Sequence, residues 1–231
     1  LLLEEYGMPA YKVASADLTN HDLIKVLIET GKPFILSTGM SREEEIKQTV
    51  ELCRRHGANY ALLHCISTYP PPFRDINLKY LSRLKEIGQT VIGYSGHERD
   101  IFVAVAAVAC GARIIEKHFT EDRSLEGSDH KISLLPDEFS RLVEGIRQID
   151  EAMGRAIKGH DLSQGEMMNR AILAKSVYIK QDLSEGSIIE RYMLETKSPG
   201  NGLQPNRKEE LIGQTTQREM KAGDVFHLSD L

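Results

Sequence analysis

Between residues 10 and 118 one unit recurs: a short apolar run, a few polar residues, a helical stretch, then a glycine. The runs are 10–14, 34–37, 60–64, 90–94 and 113–116. The spacing predicts a helix over 20–30 that ends at Gly31. Ser41-Arg42-Glu43-Glu44 reads as a capping box opening a helix that stops at Gly57. Leu78, Leu81, Leu84 and Ile87 keep helical spacing up to Gly88, and an Ala/Val-rich stretch over 100–110 stops at Gly111. Pro136 opens a last helix carrying Leu142, Ile146, Ile149 and Met153. Short buried strands alternating with helices are parallel βα units. Their length, roughly 22 to 30 residues, suits a (β/α)₈ barrel or a doubly wound sheet.

The polar residues decide between these two. They cluster where each strand ends: Lys12 to Asp17, Ser37-Thr38-Gly39, Ser67 and Tyr69, Ser95 to His97, and Glu116 to His118. In a barrel all strand C-termini share one mouth, so the clusters converge on one site. A doubly wound sheet would spread them along an edge. The expectation is therefore α/β, a partial (β/α)₈ TIM barrel with about five of the eight strands and roughly three lacking at the N-terminal side. The opening Leu1-Leu2-Leu3-Glu4-Glu5-Tyr6-Gly7 reads as the end of an amphipathic helix stopped by Gly7, so the sequence is expected to begin in mid-domain.

Composition narrows the class of partner. A formal net charge of −5 over 231 residues gives no basic surplus for a nucleic-acid face. No apolar run approaches the ~20 residues of a membrane helix. Cys53, Cys65 and Cys110 have no metal-like spacing and sit in apolar contexts, so all three are expected to be buried, reduced thiols.

Residues 1–153 are thus assigned to the barrel, 154–169 to a polar linker and 170–231 to a small β-rich module. The module carries a local repeat. Leu183-Ser184-Glu185-Gly186-Ser187-Ile188-Ile189 is echoed by Met220-Lys221-Ala222-Gly223-Asp224-Val225-Phe226, with tails at Tyr192-Met193-Leu194 and Leu228-Ser229-Asp230-Leu231.

Six segments occur in the order and spacing of a known family. They are Tyr11-Lys12-Val13-Ala14-Ser15-Ala16-Asp17, Leu36-Ser37-Thr38-Gly39-Met40, Leu63-His64-Cys65, Tyr69-Pro70, Gly93-Tyr94-Ser95-Gly96-His97 and Glu116-Lys117-His118-Phe119-Thr120. In these the chain resembles the N-acetylneuraminate (sialic acid) synthases, and Lys197-Ser198-Pro199-Gly200-Asn201-Gly202 resembles the signature of their C-terminal antifreeze-like SAF domain. The resemblance implies a cytoplasmic, swapped homodimer. It implies condensation of phosphoenolpyruvate with an N-acetylmannosamine-like aldehyde, and a divalent metal: manganese first, with magnesium or cobalt as alternatives.

That reaction needs an electrophile for the aldehyde, a cradle for phosphate and carboxylate, and proton handling. His97 and His118 are the metal candidates, each at a strand end, where a cation would polarise the aldehyde oxygen. Alone, a strand-end histidine is more often a hydrogen-bonded structural residue; shared geometry and the resemblance favour ligation for this pair. Ser95 and His97 are two apart, as are Glu116 and His118, so each pair faces one way on a strand. Ser95 is then a donor beside the metal, and Glu116 a catalytic carboxylate or a mere counter-ion to Lys12 or Lys117. Lys12, Ser15, Ser37 and Ser67 match the family's phosphoenolpyruvate positions. Lys12 and Ser15 are three apart, so the strand must end near Ala14 or carry a bulge. Asp17 is a candidate acid/base where the family has Glu, or a turn residue. Tyr69, Asp129 and Ser198 match sugar-contacting positions, Ser198 standing where the family commonly has Arg.

Two rivals share the residues. A Schiff-base aldolase would use Lys12 or Lys117 as nucleophile. A truncated, non-catalytic product is the other, since five βα units do not close a barrel and these residues alone are expected to be inactive.

Overall fold

The computed structural model describes residues 2–156 and 159–230 and divides the chain into two compact units, Leu1–Arg155 and Ala156–Leu231. In the first, helix α1 (Leu2–Glu5) ends where Gly7 takes a left-handed φ of 66° and its N–H bonds the Glu4 carbonyl. Five strands follow: β1 (Tyr11–Val13), β2 (Phe34–Ser37), β3 (Tyr60–Cys65), β4 (Val91–Gly96) and β5 (Ile114–Lys117). They pair in parallel and in chain order. The crossovers are helical: α2 (His21–Glu29), α3 (Glu43–Arg55), α4 (Phe73–Ile76) with α5 (Tyr80–Gly88), and α6 (Phe102–Ala109). Helix α7 (Pro136–Met153) follows β5. The barrel-type expectation holds: this is five strands of a parallel α/β barrel.

The capping box at α3 lies one residue later than the sequence suggests. Arg42, not Ser41, is the N-cap, and its N–H is taken by Glu45 Oε2 at 2.6 Å. Three consecutive glutamates follow Arg42, so the register is chosen by the loop entering the helix and not by the local pattern.

One face of the sheet carries the core. Phe34, Leu36, Leu62, Ile92 and Tyr94 pack against Ile24, Ile46, Val50, Leu81, Leu84, Ala104 and Leu142 of the helices. Full burial of each large side chain is worth about 1.5–3 kcal/mol. The alternate residues, Lys12, Ser37, Leu63, Cys65, Ser95 and Glu116, turn to the other, concave face. Its curvature shows in Lys12 and Glu116, on the first and last strands, whose side chains meet at 3.5 Å.

The cysteine expectation is corrected in part. Cys53 and Cys65 are buried, but Cys110 is exposed. It caps α6 where the chain turns outward at Gly111, whose φ is 97°.

In the second unit, β6 (Ser176–Ile179) and β7 (Leu194–Lys197) form an antiparallel pair. The two halves of the sequence repeat pair with each other. Leu183 and Met220 exchange both backbone hydrogen bonds, at 2.8 and 2.9 Å. Their equivalent glycines, Gly186 and Gly223, both turn through positive φ, at 81° and 94°. Val177, Ile179, Leu183, Ile189, Leu203, Leu211, Met220 and Phe226 make this unit's own core. Of the segment read as a linker, residues 157 and 158 lie outside the described residues. From Gln164 the chain is already helix α8 (Gln164–Leu173), opened by a capping box in which Ser163 and Glu166 satisfy each other's backbone N–H groups. Leu231, at the end of the second tail, also lies outside the described residues. Among the described residues no helix is long and apolar enough to cross a membrane.

Candidate active site

The strand ends deliver the site. β1 stops at Val13 and the chain turns into a 3₁₀ segment, Ser15–Asp17. This resolves the parity problem between Lys12 and Ser15: the strand ends, so both can face inward without a bulge. Lys12 Nζ bonds the Val13 carbonyl at 3.0 Å and pairs with Glu116 Oε2. Ser15 Oγ accepts the Gly39 N–H at 3.1 Å and lies 3.5 Å from Cys65 Sγ.

Gly39 is required here. A Cβ at that position would fall 2.2 Å from Ser67 Oγ, 2.8 Å from Ser15 Oγ and 3.0 Å from Cys65 Sγ. Side chains from the ends of β1 and β3 close around this glycine at the end of β2, gathering hydroxyls at one point. Such a cradle suits an anion. Ser37, on β2, adds to this face. Its Oγ is the one buried side-chain oxygen without a partner among the described residues, a donor held ready at a cost of about 1–3 kcal/mol. A cleft of about 510 Å³ opens beside Cys65 and Ser67, with Arg42 and Asp75 on its walls.

The other half of the site comes from β4 and β5. Ser95 Oγ donates to Glu116 Oε1 at 3.4 Å. Glu116 thus sits between Ser95 and Lys12. Its lysine partner is Lys12 and not Lys117, which pairs with Glu98 on the far side of the sheet. The His97 and His118 ring centroids are 5.2 Å apart, and the Tyr69 ring lies 4.2 Å from that of His97, tilted by 40°. A carbonyl oxygen only accepts, so His97 Nδ1 must carry the proton it shares with the Ile66 carbonyl at 2.8 Å. Its Nε2 is left with a free lone pair. His118 Nδ1 lies 3.7 Å from Asp129 Oδ2. The two histidines titrate in opposite senses. Burial pulls His97 down, but the Cys65 sulfur and the Ile66 carbonyl outweigh it and hold its pKa above the usual value. Burial, and then the charge of His97, push His118 below it. For Cys65, burial opposes ionisation, but contacts from His97, Ser15 and Ser67 outweigh it and lower the thiol pKa.

The imidazole pair fits a divalent cation. A metal bonded at 2.0–2.2 Å to one nitrogen of each ring lies about 3.2 Å from each centroid, so centroids within about 6 Å are compatible. Among the described residues no group of three or more His, Cys, Asp or Glu could hold a metal ion. A cation here would rest on the two imidazoles alone among these side chains.

Not every candidate converges. Asp17, in the 3₁₀ segment after β1, accepts from Asn20, the N-cap of α2, at 3.2 Å through its Oδ1. Ser198 belongs to the second unit, where its Oγ accepts from Lys175 Nζ at 2.8 Å. Two residues that sequence reasoning passed over are central. Beyond their place in the family-like segments, Cys65 is read as a buried thiol and Gly39 as part of a polar cluster. The Ser-Thr-Gly run at the strand end is the available signal for Gly39, and the Leu63-His64-Cys65 segment the one for Cys65.

Polar strand ends gathered on the hollow face of a curled parallel sheet define an α/β-barrel protein. Within that class, the chain belongs to the NeuB family, which it matches over residues 1–158, and residues 174–231 match the SAF domain. It is 40% identical over 228 residues to the N,N'-diacetyllegionaminic acid synthase of Campylobacter jejuni, covering 97% of this chain and 68% of the relative. It is 34% identical over 229 residues to the pseudaminic acid synthase of the same species, covering 99% and 66%. Among solved structures, the N-acetylneuraminic (sialic) acid synthetase of Leptospira borgpetersenii, in complex with citrate, superposes with a TM-score of 0.68 at 36% identity. That match covers 72% of this chain and 59% of the other. The chain thus spans about two-thirds of the length of these curated relatives.

Proposed function

We propose that the protein condenses phosphoenolpyruvate with an acetamido-sugar aldehyde to give a nonulosonic acid and phosphate. The observation that carries this reading is the Gly39 cradle facing the Lys12–Glu116 pair beside the two histidines. A carbon–carbon bond forms between the methylene of phosphoenolpyruvate and C1 of the aldehyde, water adds at C2, and phosphate leaves. Lys12 supplies a point charge for the phosphate; Ser15, Ser37, Ser67 and Ser95 supply hydroxyl donors for phosphate and carboxylate. Glu116, held between Ser95 and Lys12, is the carboxylate that takes a proton from the attacking water. Tyr69 and Asp129 border the histidines where the sugar hydroxyls would lie.

His97 and His118 would hold a divalent metal, with Mn²⁺ the first choice. When bound it supplies Lewis-acid polarisation of the aldehyde oxygen. The rival Schiff-base reading is weakened at both lysines. Lys12 is held by the Glu116 carboxylate and donates to the Val13 carbonyl, and Lys117 is behind the sheet.

We assign the acceptor to the 2,4-diacetamido hexoses in preference to N-acetylmannosamine. The relative at 40% identity is named for a product bearing two acetyl groups on nitrogen. The neutral Ser198 also cannot deliver the forked, charged donor of an arginine. In our reading Ser198 acts on a second copy of the chain, within a cytoplasmic homodimer. The test is phosphate release from phosphoenolpyruvate with a panel of 2-acetamido, 2,4-diacetamido and 2-hydroxy hexoses. In a protein that carries all eight barrel strands, the reading predicts turnover with the diacetamido member, and no turnover with any of them would reject it.

A further inference from the structure

Behind the sheet, opposite the proposed site, lies a buried ion pair that the proposed chemistry does not use. The side chains of Lys117 and Glu98 are each 1% exposed and meet at 2.9 Å. Lys117 Nζ also donates to the Glu98 backbone carbonyl, and Tyr94 donates its hydroxyl to Glu98 Oε2 at 2.7 Å. Gly96 makes room for this: a Cβ there would stand 2.7 and 2.8 Å from the two Glu98 carboxylate oxygens.

Each member adjoins a histidine. Glu98 follows His97, and Lys117 precedes His118. The hydrogen-bonded ladder between β4 and β5 ends at Gly96 and Lys117, so both histidines lie one residue beyond it. Past that point the backbone ladder no longer fixes how far apart the two chains run. The Glu98–Lys117 pair spans this gap from the opposite face, because neighbouring residues on a strand point to opposite sides. Stability is a poor explanation for the pair, since desolvating two charges costs about as much as their attraction returns. A fully hydrogen-bonded buried pair does fix geometry.

The geometry points to Glu98 and Lys117 as positioning residues that set the separation and orientation of the His97 and His118 rings. The inference rests on the proposed metal role of these rings for one readout only. The variants are Glu98→Gln/Lys117→Met, which removes both charges together and leaves no unpaired buried charge, and Tyr94→Phe, which removes one donor to Glu98. Three quantities are read on the intact protein: thermal unfolding, the imidazole ¹⁵N resonances of His97 and His118 without metal, and Mn²⁺ affinity by calorimetry. The double variant should unfold cooperatively, with both imidazole resonances moved or broadened, and with Mn²⁺ binding weakened roughly ten- to a hundredfold. Tyr94→Phe should move the same resonances less. A folded double variant with both resonances unchanged overturns the assignment. If the double variant does not fold, unchanged resonances in Tyr94→Phe overturn it. Absence of Mn²⁺ binding in the wild type would remove the metal reading alone, and the metal-free imidazole spectra would still decide this one.

Discussion

Lys12 and Glu116 stand on the first and last strands of the five-stranded sheet, and their side chains meet at 3.5 Å across its hollow face. Three strands lie between them, so only a strongly curled sheet can bring them together. The pair also keeps a cation in the mouth, facing the Ser95 and Glu116 side. Lys12→Met should raise the KM for phosphoenolpyruvate roughly ten- to a hundredfold, as expected for a lost charge-assisted hydrogen bond of about 1.5–3 kcal/mol. Steady-state kinetics read this directly. Borohydride with pyruvate should leave Lys12 unlabelled; a trapped adduct would restore the aldolase reading.

Chelation should abolish turnover, and added Mn²⁺ should restore it. His97→Ala should weaken Mn²⁺ binding in calorimetry, because it removes one of the two imidazoles proposed to hold the metal. Full activity in a demonstrably metal-free preparation would refute the assignment.

Gly39→Ala should damage the site more than the fold. The added methyl meets Ser67 Oγ and Ser15 Oγ, side chains that can rotate away, at the cost of the cradle. The KM for phosphoenolpyruvate should rise by about tenfold, with the unfolding midpoint lowered by only a few degrees. Unchanged kinetics would show that the cradle does not hold the donor substrate.

His64 gives a pH prediction in the core. It is buried on β3, its Nε2 within 2.5 Å of the Ile76 carbonyl, and burial pushes its pKa below the ordinary 6.5. The folded state therefore keeps it neutral, while the unfolded chain protonates it near 6.5. Its contribution is complete above that pH and is lost as pH falls, by up to about 1.4 kcal/mol per pH unit until the folded pKa is reached. Urea midpoints between pH 7.5 and 5.5 should fall more steeply for the wild type than for His64→Gln. Parallel slopes would contradict this.

Ser198→Arg should shift acceptor preference towards N-acetylmannosamine if residue 198 contacts the sugar. The neighbouring Lys175 already places an ammonium 2.8 Å from Ser198 Oγ, so Ser198→Arg alters charge density as well as shape. A preference left unchanged across the acetamido-hexose panel would exclude this contact.

The order of strands and helices was legible in the sequence because parallel βα units write a local pattern: apolar run, polar end, helical spacing, glycine. The pseudo-repeat of the second unit was legible for the same reason, and the structure adds that its halves pair at Leu183 and Met220. Residue types at strand ends also pointed to His97, His118, Ser95 and Glu116. What local pattern could not decide was which side chains meet. Glu116 could neutralise Lys12 or Lys117, and only the curl of the sheet selects Lys12. Asp17 could be an acid/base or a turn residue, and its carboxylate meets Asn20 at the entry to α2. Cys65 and Gly39 become central, and Glu98 joins His97 to β5 from behind, through contacts between residues far apart in sequence or between neighbouring strand ends. Such contacts depend on register and curvature, which are properties of the packed sheet and not of any single segment.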